Sequence, residues 1–166
     1  KKNDIFFAIK GKNKDGNLFV KEAFNKGASL AIVNKFDKSK NINKQIKVKN
    51  TLNFLTKCSS ILRKNVSSKI IAITGSCGKT SLKELLGKTL KKISKVTYSP
   101  KSYNNKFGVP LSLFNLNVND DFGIFEVGMD KDLGLAGLEA GLTGGKTQAA
   151  IAGEQRMTEL KTLLAQ

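Results

Sequence analysis

No histidine occurs anywhere in the 166 residues. That absence excludes histidine-ligated metal sites and imidazole general bases from this chain. There is no run of 18 apolar residues, so no membrane-spanning helix is expected. Nor does a leader resembling a secretion signal stand at the start, although the chain opens on Lys1 rather than methionine. Cysteine is scarce: Cys58 sits in a helical pattern and Cys77 in a glycine-bearing segment, without metal-type spacing. Both read as reduced thiols of a cytoplasmic protein. Arginine is nearly missing too, since only Arg63 and Arg156 contribute to the 29 basic residues. Base readout and single-strand binding favour arginine forks and interleaved aromatic rings, and neither is present. The net charge of +16 therefore reads as lysine spread over solvated faces, not as a specific nucleic-acid interface. Such basicity also suits anionic nucleotide substrates.

What is present centres on residues 69–90. Ile70, Ile71 and Ile73 form a short β-branched run that reads as a buried parallel strand. The run breaks at Gly75-Ser-Cys-Gly78, and Lys79-Thr-Ser81 opens a helix expected to place Leu82, Leu85, Leu86 and Leu90 on one face. Strand, glycine loop, Lys-Thr and helix together form the arrangement that holds nucleotide phosphates. The amides of Gly75, Ser76, Cys77, Gly78, Lys79, Thr80 and Ser81 and the positive end of the helix dipole face the anion. Lys79 reaches the outer phosphates, and the Thr80 hydroxyl suits Mg²⁺. The usual pattern has a glycine five residues before Gly78, where this chain has Ile73. A surface turn followed by lysine is the plainer alternative, which the flanking strand and helix argue against.

Elsewhere, residues 5–9 read as a strand, 18–26 as a short helix carrying Phe19, Ala23 and Phe24 and stopped by Gly27, and 29–33 as a second strand. A short strand follows at 46–48. A helix over 51–64 turns Leu52, Leu55, Cys58 and Leu62 to one side, capped by Asn50 or Thr51. After a boundary at Val66-Ser-Ser68 come the phosphate-loop unit, a strand near 95–98, a loop at 99–105, a helix near 109–116 and the strand 122–128. Strands alternating with helices make this an α/β chain with parallel layers.

Composition then breaks. Residues 1–130 hold 15 asparagines and residues 131–166 none, while 25 basic against 9 acidic residues before the break become four against four after it. Gly144-Gly-Lys-Thr147 imitates a phosphate loop but lacks a preceding strand pattern and reads as coincidence. The tail reads as a glycine-containing linker followed by at most one amphipathic helix through Ile151, Met157, Leu160 and Leu164. On this reading the sheet edge beyond 122–128 stays open or is covered only by that helix.

Four ordered segments carry a resemblance. Thr74-Gly-Ser-Cys-Gly-Lys-Thr-Ser81 resembles the ATP loop of the Mur ligases, which also replace the first glycine of the usual pattern. Asn104-Asn-Lys-Phe-Gly-Val-Pro-Leu-Ser-Leu113 and Phe125-Glu-Val-Gly-Met129 resemble the two segments that follow it in that family. Asp4-Ile-Phe-Phe-Ala-Ile-Lys-Gly11, with Asp15-Gly16, Phe19 and Gly27-Ala28, is similar to the family's UDP-sugar-binding domain.

The resemblance implies a small N-terminal α/β substrate domain (1–66), the first part of a parallel-sheet, P-loop ATP-binding domain (67–130), and unrelated material at 131–166. It implies a cytoplasmic, ATP- and Mg²⁺-dependent amide-forming ligase of peptidoglycan synthesis. The family's closest pattern is that of the member joining D-alanyl-D-alanine to UDP-N-acetylmuramoyl-tripeptide. A sister ligase adding a single amino acid and a nucleotide-binding module without turnover are the alternatives. Lys79 would stabilise the transferring phosphoryl group, while Thr80 and Glu126 would hold Mg²⁺ with side-chain oxygens roughly 3 to 6 Å apart. For Glu126 the plain alternative is a cap or a solvated strand end. Asn104 and Asn105 either line the substrate–phosphate region or cap the next helix.

Departures from the family accompany these matches. The uridine-contacting segment would precede Lys1. Asn17 stands where histidine is common, and Asp130 where asparagine is common. The family's later glycine-glutamate segment, asparagine-bearing strand, metal-binding histidine and modified lysine are not recognisable in 131–166. The chain thus reads as a fragment of such a ligase, inactive by itself.

Overall fold

The computed structural model describes residues 3–38 and 41–128. The expectations for 131–166, linker and helix alike, lie outside the described residues. The chain divides into two units, residues 1–59 and 60–166. The division falls inside a helix, seven residues before the boundary expected at 66.

In the first unit, strands β1 (Ile5–Phe7), β2 (Leu30–Val33) and β3 (Gln45–Lys47) form a parallel sheet in the order β1-β2-β3. A 3₁₀ turn (Gly16–Phe19) leads into α1 (Val20–Asn25), which Gly27 ends with a left-handed φ of 96°. One buried cluster joins Ala8, Val20, Ala31 and Val33, with Phe6 and Phe24 packed against it. Val20 is buried in α1, whereas Phe19, expected within the same helix, ends the 3₁₀ turn and is 40% exposed. That turn lies close to the backbone after β1: a Cβ on Gly16 would stand 2.6 Å from the Ile9 nitrogen and carbonyl oxygen.

Helix α2 (Thr51–Asn65) begins at Asn50, whose Oδ1 accepts from the Asn53 amide at 2.9 Å. Its buried positions in this unit are Thr51, Leu55 and Ser59, at four-residue spacing, while Leu52 and Cys58 are only half-buried. Two hydroxyls occupy inner positions because each finds a carbonyl: Thr51 Oγ1 donates to Ala8 O at 3.0 Å and Ser59 Oγ to Leu55 O at 2.8 Å. Asn50→Ala should cost about 1 kcal/mol through loss of the cap. A urea midpoint unchanged from wild type would show that another acceptor serves the Asn53 amide.

In the second unit, β4 (Lys69–Ile73), β5 (Val96–Tyr98) and β6 (Phe122–Glu126) form a parallel sheet in the order β4-β6-β5. Strand β6 is central, so it is not the open edge expected from sequence order; the edges among the described residues are β4 and β5. Helix α4 (Gly108–Phe114) supplies Val109 and Leu113 to a cluster with Val66, Leu116, Phe125 and Val127. Helix α3 (Lys79–Leu90) packs Leu86 and Leu90 on Ile73, Val96 and Ile124. The even- and odd-numbered residues of β6 therefore contribute to different clusters, which explains its unbroken apolar run.

The inner face of α3 differs from the leucine face expected. Leu82 and Leu85 are 47% and 64% exposed, whereas Lys83 and Gly87 are buried. Gly87 decides this rotation. A Cβ there would lie 2.7 Å from the Tyr98 ring, so its lack of a side chain is what lets the helix approach β5.

Candidate functional site

The phosphate loop joins β4 to α3. Gly75 (φ 141°) and Gly78 (φ 75°) adopt the positive φ that side-chain-bearing residues rarely take. Apart from its own chain neighbours, no heavy atom lies within 4 Å of a Cβ built on Gly78, so backbone conformation and not crowding requires glycine there. Helix α3 starts with no side-chain cap and no acidic residue in its first turn. No side chain of the helix's own cap or first turn thus takes up its opening amides, which is how a helix end receives phosphate. Lys79 bends back over the loop and donates to Gly75 O and, at 3.4 Å, to Ser76 O. Ser76, Cys77 and Ser81 are exposed along the loop and the first helical turn.

Glu126 ends β6 directly beside Ile73, the last residue of β4. Its carboxylate is on the α3 side of the sheet and only 1% of the residue is exposed. Thr80 Oγ1 donates to Glu126 Oε2 at 2.8 Å, and Asn104 Nδ2 donates to Oε1 at 2.8 Å. The Thr80–Glu126 separation is thus a direct hydrogen bond, slightly shorter than the 3 to 6 Å expected of a metal-bridged pair. Backbone contacts fix the strand end as well: the Glu126 amide donates to Ser99 Oγ at 3.2 Å and the Gly128 amide to Asn104 O at 2.6 Å.

The two asparagines separate in role. Asn104 faces the carboxylate, whereas Asn105 Oδ1 accepts from the Phe107 and Gly108 amides at 3.1 and 2.9 Å, shaping the turn into α4. Three residues not singled out from sequence join the site. Ser99 is buried against Glu126, and Ser102 Oγ lies 3.5 Å from Thr80 Oγ1. The third is Lys83, wholly buried, with Nζ 4.0 Å from Glu126 Oε2. Helical spacing carried a signal for Lys83, which follows Lys79 by four residues and Thr80 by three. Nothing local marks the serines.

A hydroxyl and a carboxylate within 2.8 Å form an all-oxygen donor pair suited to a hard divalent ion. Among the described residues no cluster of three or more His, Cys, Asp or Glu side chains exists, so phosphate and water would complete such a shell. Both cysteines are free thiols, and burial pushes Cys58 above its ordinary pKa. No helix of the described residues is long and apolar enough to cross a membrane.

The first unit has a separate cavity of about 780 Å³ at the ends of its strands, with Lys10, Lys35 and Lys49 and the carboxylates Asp15 and Asp37 in its wall. Asn17 organises it. Asn17 Oδ1 accepts from the Asn34 amide at 3.1 Å, and its backbone amide donates to Asp15 Oδ1 at 2.9 Å. That bond, seconded by the Asn17 side chain, holds the Asp15 carboxyl below its ordinary pKa.

Residues 73–140 match the Mur ligase middle domain, ten residues past the break in composition. A UDP-N-acetylmuramoyl-tripeptide–D-alanyl-D-alanine ligase of Buchnera aphidicola subsp. Baizongia pistaciae is 42% identical over 124 residues, covering 75% of this chain and 27% of the relative. The ligase of the same description from Rickettsia prowazekii is 38% identical over 130 residues, covering 78% and 29%. Among solved structures, MurF from Acinetobacter baumannii superposes with a TM-score of 0.64 at 31% identity, covering 77% of this chain and 28% of that one. MurF ligase from Thermotoga maritima in complex with ADP gives 0.65 at 29% identity, covering 84% and 32%. The chain spans somewhat more than a quarter of the length of these curated relatives. Taken with the phosphate loop and the Thr80–Glu126 pair, these likenesses show that the chain belongs to the Mur ligase family.

Proposed function

We propose that this chain carries the ATP-binding and UDP-sugar-binding elements of a ligase joining D-alanyl-D-alanine to UDP-N-acetylmuramoyl-tripeptide. The observation that carries the reading is the hydrogen-bonded Thr80–Glu126 pair set beside an uncapped, glycine-hinged helix start. A carboxylate is inert to amines until one oxygen becomes a good leaving group. In the proposed reaction the tripeptide carboxylate oxygen attacks the γ-phosphorus and ADP leaves. The dipeptide amine then attacks the acyl carbon, expelling inorganic phosphate. The loop amides and Lys79 would align and screen the phosphates, with Lys79 exchanging its loop carbonyls for phosphate oxygens. Thr80 and Glu126 would hold Mg²⁺, which supplies charge neutralisation between the phosphates. Asn104 keeps the Glu126 carboxylate aimed at that position.

The lysine-lined cavity of the first unit suits the diphosphate of the UDP-sugar, with Asn17 bracing its floor. Residues 1–66 and 67–130 would then be the substrate and ATP domains, in a cytoplasmic enzyme.

Substrate choice is tested by joining residues 1–128 to the remaining length of the Rickettsia prowazekii relative and following phosphate release. Release is expected with D-alanyl-D-alanine and not with alanine, lysine or a diamino acid. Release with a single amino acid would favour the sister-ligase reading, and ATP binding without release for any amine would favour a binding module.

A further inference from the structure

We propose that Lys83 is a positioning residue of the phosphate site. Its buried ammonium ties α3 both to the turn at Lys101 and to Glu126, keeping carboxylate and turn in register with Thr80 for a metal–nucleotide complex. The inference rests on the nucleotide reading above.

Lysine is almost never fully buried without a partner, yet Lys83 is 0% exposed in the middle of an otherwise ordinary helix. Three oxygens surround its ammonium. Nζ donates to Lys101 O and stands 3.5 Å from Glu84 Oε1 and 4.0 Å from Glu126 Oε2. The Lys101 partner is informative. This residue has a φ of 48°, a left-handed conformation that persists in a side-chain-bearing residue only when its surroundings enforce it. Capture of its carbonyl by a buried cation is one such enforcement.

The turn so held carries the groups that address the site. Ser102 Oγ approaches Thr80 Oγ1 at 3.5 Å, and Asn104 Nδ2 holds Glu126 Oε1 at 2.8 Å. Both carboxylate oxygens therefore depend on Lys83, Oε2 through its nearby charge and Oε1 through the turn it anchors. An apolar side chain of similar volume would fill the space and provide neither link. Lys83 thus differs from Lys79, which sits at the loop surface and is free to exchange its partners for phosphate.

The test uses the 166-residue chain and ADP, titrated by calorimetry with Mg²⁺ and again in EDTA. Wild type is expected to bind more tightly with Mg²⁺. Lys83→Met should lose about tenfold of that metal-dependent gain, as for loss of a charged hydrogen-bonding partner, while its affinity in EDTA stays within about twofold. In the ligand-free variant the Gly128 amide, bonded to Asn104 O, should exchange faster. If Lys83→Met does not fold, Asn104→Ala breaks the same link further along and should reproduce the selective loss. Retention of the full metal-dependent gain in the folded variant, or equal losses with and without Mg²⁺, overturns the positioning role. Absence of any gain in wild type overturns the metal–nucleotide reading itself, and this inference with it.

Discussion

Lys79→Ala is expected to weaken Mg-ATP binding by about 10- to 100-fold. Hydrogen bonds to charged groups contribute about 1.5–3 kcal/mol, and 1.4 kcal/mol is a factor of ten. The lower part of that range is favoured because Lys79 already donates to Gly75 O and Ser76 O. Those contacts are given up on binding and offset part of the gain. The substitution leaves no orphaned buried donor, so circular dichroism and the urea midpoint should stay near wild type. A folded variant whose calorimetric affinity is unchanged would sink the phosphate-site proposal.

Gly108→Ala should destabilise the second unit by about 1–3 kcal/mol, the usual cost of forcing atoms into a filled space. Its Cβ would fall 2.7 Å from both Tyr103 Cα and Tyr103 C, which are backbone atoms without a rotamer to yield. The segment from 99 to 107 must then move, and Asn104 with it. Nucleotide affinity should consequently drop in the same variant, because the 2.8 Å link from Asn104 to Glu126 sits on that segment. Urea denaturation and ADP calorimetry read the two effects separately. An unshifted midpoint would mean that the approach of α4 to Tyr103 is looser than these distances indicate.

The helices and strands were largely legible from residue pattern, with ends differing by one or two residues. The α/β class and the parallel layers follow from strands such as Ile70–Ile73 and Phe122–Phe125, which are apolar on both faces because helices cover both. The phosphate loop is equally local: two glycines with positive φ, then Lys79 and Thr80 at a helix start, are determined by neighbours within a few residues.

Strand order was not legible that way. Placing β6 between β4 and β5 depends on pairings from Lys69 to Phe122 and from Val96 to Phe122, separated by long stretches of chain. Periodicity identified the leucines of α3 but not which of them lie inside. That was decided by the Tyr98 ring against Gly87, and by Lys83 finding partners at Lys101 and Glu126 that offset its burial. Sequence thus determined the pieces whose conformation is set by their own backbone chemistry. Tertiary structure decided which polar groups could be buried, since a charge enters the interior only where distant segments bring it a partner.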